Sequence, residues 1–116
     1  MIAVIFEVWP KPDERQHYFD IAAELKPILQ EIDGFISVER FESITEKGKF
    51  VSLSFFRDEA AVEAWRNTIE HRRSQAKGRA TIFENYRLRV ANVMRDYGLN
   101  ERAEAPKDSR AVHEAH

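Results

Sequence analysis

The residues best suited to chemistry lie close together in AWRNTIEHRRSQAKGR, residues 64–79, where Trp65 is followed six positions on by His71 and then by Arg72, Arg73, Lys77 and Arg79. An imidazole with an unperturbed pKa near ~6.5 can remove a phenolic or enolic proton at neutral pH. A neighbouring guanidinium can stabilise the anion that results, and an indole can stack on a flat ring. Each residue also has a plainer role. Trp65 shares a helix face with Ala61, Val62 and Ile69, all within about 60° at 3.6 residues per turn, so it faces inward and can serve simply as core. On an unbroken helix His71 points about 120° from Trp65, toward a flank, and it reaches the inner side only if the helix ends or bends near Glu70. The basic run suits a helix C-terminus, where positive charge complements the dipole.

Length and composition bound the functions open to these residues. The 116 residues suffice for one domain with one core. Hydrophobic residues make up 43% and aromatic residues 11%, a composition of folded proteins. With 18 basic against 20 acidic side chains the net charge is −2, which argues against a nucleic-acid partner. Cysteine is absent, which removes disulfides, thiolate nucleophiles and cysteine-ligated metals. No apolar run approaches the ~20 residues that span a bilayer. The opening MIAVIFEVWP has neither a basic leader nor a small-residue cleavage site, so a cytoplasmic protein without membrane association is expected. His113 and His116 have the i, i+3 spacing of a helical metal pair but no firm third ligand, and no metal site is expected. Phosphate-loop, dinucleotide and nucleophile-elbow motifs are absent, and no cofactor is expected.

The elements that must position these residues follow from periodicity. Residues 2–9 read as a strand ending before Pro10. Tyr18, Ile21, Ala22, Leu25, Ile28, Leu29 and Ile32 have helical spacing, with Pro27 expected to kink or divide the helix near Lys26 and Gly34 to close it. FISVERFESI and KFVSLSFFRD, joined by TEKG, form a hairpin. Asp58 is a plausible N-cap for a second helix. TIFENYRLRVANVMRDYG reads as a long final strand in which Ile82, Tyr86, Leu88, Val90 and Met94 share one parity and Asn85 lies on the opposite face. The order β-α-β-β-α-β predicts an α+β, ferredoxin-like fold with a four-stranded antiparallel sheet.

The strands carry a further expectation. The first is apolar on both faces, with Ile2, Val4, Phe6 and Val8 opposing Ala3, Ile5 and Trp9. The third likewise sets Phe50 and Phe56 against Val51, Leu53 and Phe55. Helices on one side leave the other face needing cover, and a homodimer packed sheet against sheet supplies it. Residues 1–98 are expected to form the domain, and residues 99–116 a polar tail.

The element order, the DGF turn into the second strand, SLSFFRDEAAVEAW with its tryptophan, and FENYRLRV together resemble the antibiotic biosynthesis monooxygenase superfamily. That resemblance implies a dimeric α+β barrel. Its members include cofactor-free oxygenases of phenols and anthrones, quinol oxidases and haem-degrading enzymes. It implies a small aromatic substrate, with His71, Trp65 and Arg72 as catalytic candidates and Trp65, Tyr86, Phe6 and Asn85 as substrate-contacting ones. The haem-degrading branch pairs a first-strand asparagine with the tryptophan and a histidine about ten residues beyond it. Here the first strand offers Phe6 and Glu7, and the later position holds Gln75, which weakens that alternative. A non-catalytic dimeric ligand-binding or stress-associated module is the other alternative.

Overall fold

A computed structural model describes residues 1–75 and 82–109, with the side chains of residues 70–75 excepted. Strands β1 (Ile2–Pro10), β2 (Phe35–Glu42), β3 (Phe50–Phe56) and β4 (Phe83–Asn92) and helices α1 (Arg15–Gln30) and α2 (Glu59–Gln75) follow in the order β-α-β-β-α-β. The sheet order is β2-β3-β1-β4, antiparallel throughout, which is the ferredoxin-like arrangement expected from the element order.

Register assigns each side chain to a face. Ile2, Val4, Phe6 and Val8 of β1 pair with Phe56, Ser54, Ser52 and Phe50 of β3, and this row lies under the helices. Tyr18, Ala22 and Leu29 are the buried residues of α1. Around Val8 the core is built with Tyr18, Phe50 and Ile82, and around Val4 with Ile2, Phe56, Ala61 and Val62. Phe56 and Val8 are fully buried, and each such side chain stabilises the fold by about 1.5–3 kcal/mol.

Local signals behave as chemistry dictates, with two corrections. The Asp58 carboxylate accepts a hydrogen bond from the Ala61 amide at 3.0 Å, capping α2 as expected. Pro27 does not divide α1. It lies in the last turn, so its missing N–H removes only one helical bond close to where the helix ends. Nor does Gly34 directly follow the helix. The C-terminal turn is closed by the Glu31 and Ile32 amides, and Gly34, at φ +90°, sits in the following turn, where the Phe35 amide donates to the Ile32 carbonyl.

The face away from the helices presents Ile5 and Trp9 of β1, Val51, Leu53 and Phe55 of β3, and Phe41 of β2. Glu7 stands among them, 3.3 Å from Arg89 and 3.8 Å from Lys49, while the Lys49 ammonium lies 5.0 Å from the centre of the Trp9 ring. Among the described residues no helix is long and apolar enough to cross a membrane.

Candidate functional site

The helices cover β1 and β3 but leave the helix-side row of β4 open. Tyr86, Leu88 and Val90 pair with Val8, Phe6 and Val4, so they share the core face, yet they are 52%, 43% and 52% exposed. A strip of apolar surface thus runs out of the core along the sheet edge. Apolar side chains facing inward but left uncovered mark a ligand surface more readily than a packing surface.

An aromatic group forms the floor at one end. The Phe6 ring lies 5.7 Å from Tyr86 and 6.1 Å from Phe83, and Phe83 lies 6.3 Å from Tyr86 and 5.8 Å from Tyr18. Phe83 reaches this group because β4 is bulged. Asn85 pairs with Trp9 and Phe83 with Pro10, which leaves Glu84 as the extra residue. Parity alone puts Phe83 with Asn85, Arg87 and Arg89 on the outer face, where it would miss this cluster. A one-residue bulge carries no sequence signal strong enough to anticipate it.

The structure brings Phe6 and Tyr86 together and places Trp65 on the same side of the sheet at the other end. Trp65 is half-buried, its rings 6.1 Å from Phe56, within the cluster that holds Ile2, Val4 and Val62. Asn85 faces the other way, opposite Trp9, and its side-chain oxygen accepts a hydrogen bond from the Tyr86 amide at 2.9 Å. α2 continues as helix to Gln75, and the side chains of His71 and Arg72 lie outside the described residues, as do Lys77, Arg79, His113 and His116. Among the described residues no three His, Asp or Glu side chains gather in a way that could hold a metal ion.

A second polar group adjoins the aromatic floor and was missed from sequence. Tyr18 is 5% exposed, and among the described residues the hydroxyl at its tip meets only the Arg40 guanidinium, too loosely to make a well-formed hydrogen bond. Burial pushes this phenol up, against the pull of the nearby Arg40 guanidinium. The Nε atoms of Arg15 and Arg40 are likewise buried without partners.

Comparison with known proteins agrees with this architecture. The family described as antibiotic biosynthesis monooxygenase matches residues 1–77. A curated relative, the jasmonate monooxygenase ABM of Pyricularia oryzae, is 45% identical over 101 residues, 87% of this chain, and the match covers 47% of that protein, about half its length. The solved structure of Rv0793 from Mycobacterium tuberculosis superposes with a TM-score of 0.70 at 20% identity, over 84% of this chain and 98% of that one. A structure of MhuD with two manganese protoporphyrin IX molecules per active site gives 0.67 at 15% identity, over 84% and 99%. Likenesses at these identities speak to the fold. With the family matched over most of its length and the sheet order in agreement, the chain belongs to the antibiotic biosynthesis monooxygenase family.

Proposed function

We propose that this protein is a cofactor-independent monooxygenase that oxidises a small hydroxylated aromatic (a phenol, quinol or anthrone) with dioxygen. The carrying observation is the open aromatic strip formed by Phe6, Phe83 and Tyr86 on the core side of the sheet edge. It offers a flat apolar surface of the kind that binds a ring. The 45% identical relative named as a jasmonate monooxygenase supports oxygen chemistry, and jasmonate therefore belongs in the substrate screen.

The chemistry asks little of the protein. Dioxygen is a triplet and reacts slowly with closed-shell organic molecules, but a substrate anion can give it an electron. For an anthrone-type substrate the CH2 group becomes a carbonyl, O2 supplies the carbonyl oxygen and the oxygen of one water, and the substrate provides all four electrons. In this proposal His71 takes the proton, Arg72 favours the anion, Tyr86 and Phe6 hold the ring away from water, and Trp65 walls the other end of the same face. Asn85, on the outer face beside Trp9, would reach substrate only across a subunit boundary.

The same reading includes a second copy of the chain. The outer face carries Ile5, Trp9, Val51, Leu53 and Phe55, each half-buried, and sheet-to-sheet pairing would bury them further.

The test is oxygen uptake with anthrones, quinols and jasmonate, comparing the parent with His71→Ala and Trp65→Phe. Uptake that falls at least a hundredfold in His71→Ala supports the assignment. Unchanged turnover in that variant removes His71 from the mechanism, and no uptake with any of these substrates returns the protein to a binding role.

A further inference from the structure

Arg15 and Arg40, like Arg102, each have a buried Nε without a hydrogen-bond partner, but these two flank Tyr18, Arg15 one turn before it on α1 and Arg40 acting on its phenol. Arg57 is paired with Asp33 and Asp58, Arg89 with Glu7, and Arg102 donates to the Gly98 and Ser109 carbonyls. Among the described residues no carboxylate lies within salt-bridge distance of Arg15 or Arg40, although the Nε of each is sealed from solvent and lacks a hydrogen-bond partner. Nearby acids are otherwise placed: Glu14 bonds His17, and Asp20 accepts from Gln16. Glu42 follows Arg40 by two residues on the same face and forms no ion pair with either arginine.

These groups are held in place rather than left to swing. Arg15 precedes Tyr18 by three residues, on the same face of α1. Its guanidinium lies under the turn at Gly48, where an added β-carbon would come within 2.6 Å of Nη2 and push it aside. Arg40 is paired with Ser52 on the helix side, and its charge acts on the Tyr18 phenol. Tyr18 packs 6.3 Å from Phe50 and 5.8 Å from Phe83. The phenol oxygen takes up the Arg40 guanidinium, but its own O–H and the buried Nε–H groups of Arg15 and Arg40 still lack an acceptor, and buried donors of this kind call for one.

We propose that Arg15, Tyr18 and Arg40 form a binding site for one carboxylate, the acidic end of a small ligand whose apolar body lies along Phe83, Phe6 and Tyr86. Guanidinium and phenol donors match the lone pairs of a planar carboxylate, and the aromatic rings lead away from it without a break. The proposal deepens the functional reading above by naming an acid as the substrate class, and it rests on that reading for the aromatic strip. Neither oxidation nor His71 enters it.

The experiment uses 4-phenylbutyrate and its methyl ester as probes, with binding measured by calorimetry. The Arg15 and Arg40 Nε–H signals are followed in nitrogen-15 NMR spectra. The acid is expected to bind at least tenfold more tightly than the ester and to shift both Nε–H signals. Tyr18→Phe and Arg40→Gln, which keep most of the packing volume, should each abolish that preference. Equal binding of acid and ester to the parent overturns the proposal, as does failure of the acid to bind or retention of the preference in both variants. Because no turnover is measured, an enzyme inactive toward every oxidisable substrate would still show the acid preference if the carboxylate site exists. An active enzyme without the preference would lose only the site.

Discussion

Phe83 and Tyr86, three residues apart on one strand, stack edge to face with ring centroids 6.3 Å apart on a single face of the sheet. In a regular strand residues three apart point to opposite faces. The extra residue, Glu84, resolves the conflict. With regular pairing Glu84 would stand opposite Pro10 and aim a carboxylate at Phe6 and Tyr18, and the bulge puts a phenyl ring there instead.

Deleting Glu84 should therefore leave Phe83 opposite Pro10 in an unbulged strand. Near-UV circular dichroism of the aromatic cluster is expected to persist, with stability within about 1 kcal/mol of the parent. Phe83→Ala should instead cost roughly 2–4 kcal/mol by emptying the centre of the cluster. Denaturant titration of both variants checks the contrast, and a collapse of the deletion variant would show that Glu84 is needed for more than spacing.

Leu53→Glu tests the outer face. Leu53 is opposite Ile5 at the middle of the apolar surface. The parent is expected to sediment as a dimer and the variant as a monomer with near-native far-UV circular dichroism. A parent that sediments as a monomer at micromolar concentration would refute the sheet-to-sheet pairing.

Gly34→Ala should be among the costliest single-methyl additions in this fold. The φ of +90° is strained for any L side chain, and the added β-carbon would lie 2.9 Å from that of Ala61 at the start of α2. A loss of about 1–3 kcal/mol is expected in chemical unfolding. A neutral result would mean that the turn and α2 separate easily.

Arg57 links stability to acidity. The Asp33 carboxyl is held below its ordinary value of 3.8 by hydrogen bonds from Arg57. That of Asp58 is held down first by the Ala61 amide and then by Arg57. A lowered folded-state pKa contributes stability that is present above the ordinary value and is lost as pH falls through the lower folded value. The melting-temperature gap between the parent and Arg57→Met should thus be present at pH 5–7 and close below about pH 3. All three groups are exposed at the surface, so the gap should be small and should shrink in concentrated salt. A gap that is unchanged at pH 2 would assign the effect of Arg57 to packing.

Hemin provides a discriminating titration. At the place on β1 where haem-degrading relatives carry an asparagine, this chain has Phe6 packed against Phe83 and Tyr86, followed by Glu7 on the outer face. No Soret shift is expected. Saturable binding with a ligated-haem spectrum would move the protein toward that branch.

Much of the fold was legible because it rests on periodicity. The β-branched and aromatic run of β1, the alternating hairpin strands β2 and β3, helical spacing from Tyr18 to Leu29, and the Asp58 cap each reflect local physics, and all reappear in the structure. What escaped was conformational detail that depends on neighbours. Pro27 is tolerated because the helix ends three residues later, and Gly34 belongs to a turn whose position the helix cap decides. The aromatic strip was half visible: Phe6 and Tyr86 were named from pattern and resemblance, while Phe83 was assigned by parity to the wrong face. Arg15, Tyr18 and Arg40 were invisible as a group. Their meeting depends on β2 pairing with β3 beneath α1, a long-range relation with no local signature.

The bulge also has an evolutionary corollary. Because the irregularity sits at the very entrance of β4, strand phase from Asn85 onward is decoupled from whatever precedes Phe83. Relatives could lengthen or shorten the connection from α2 by single residues, absorbing the change at the entrance while Tyr86, Leu88 and Val90 stay in frame. Substrate range could then diversify through that connection without renegotiating the sheet.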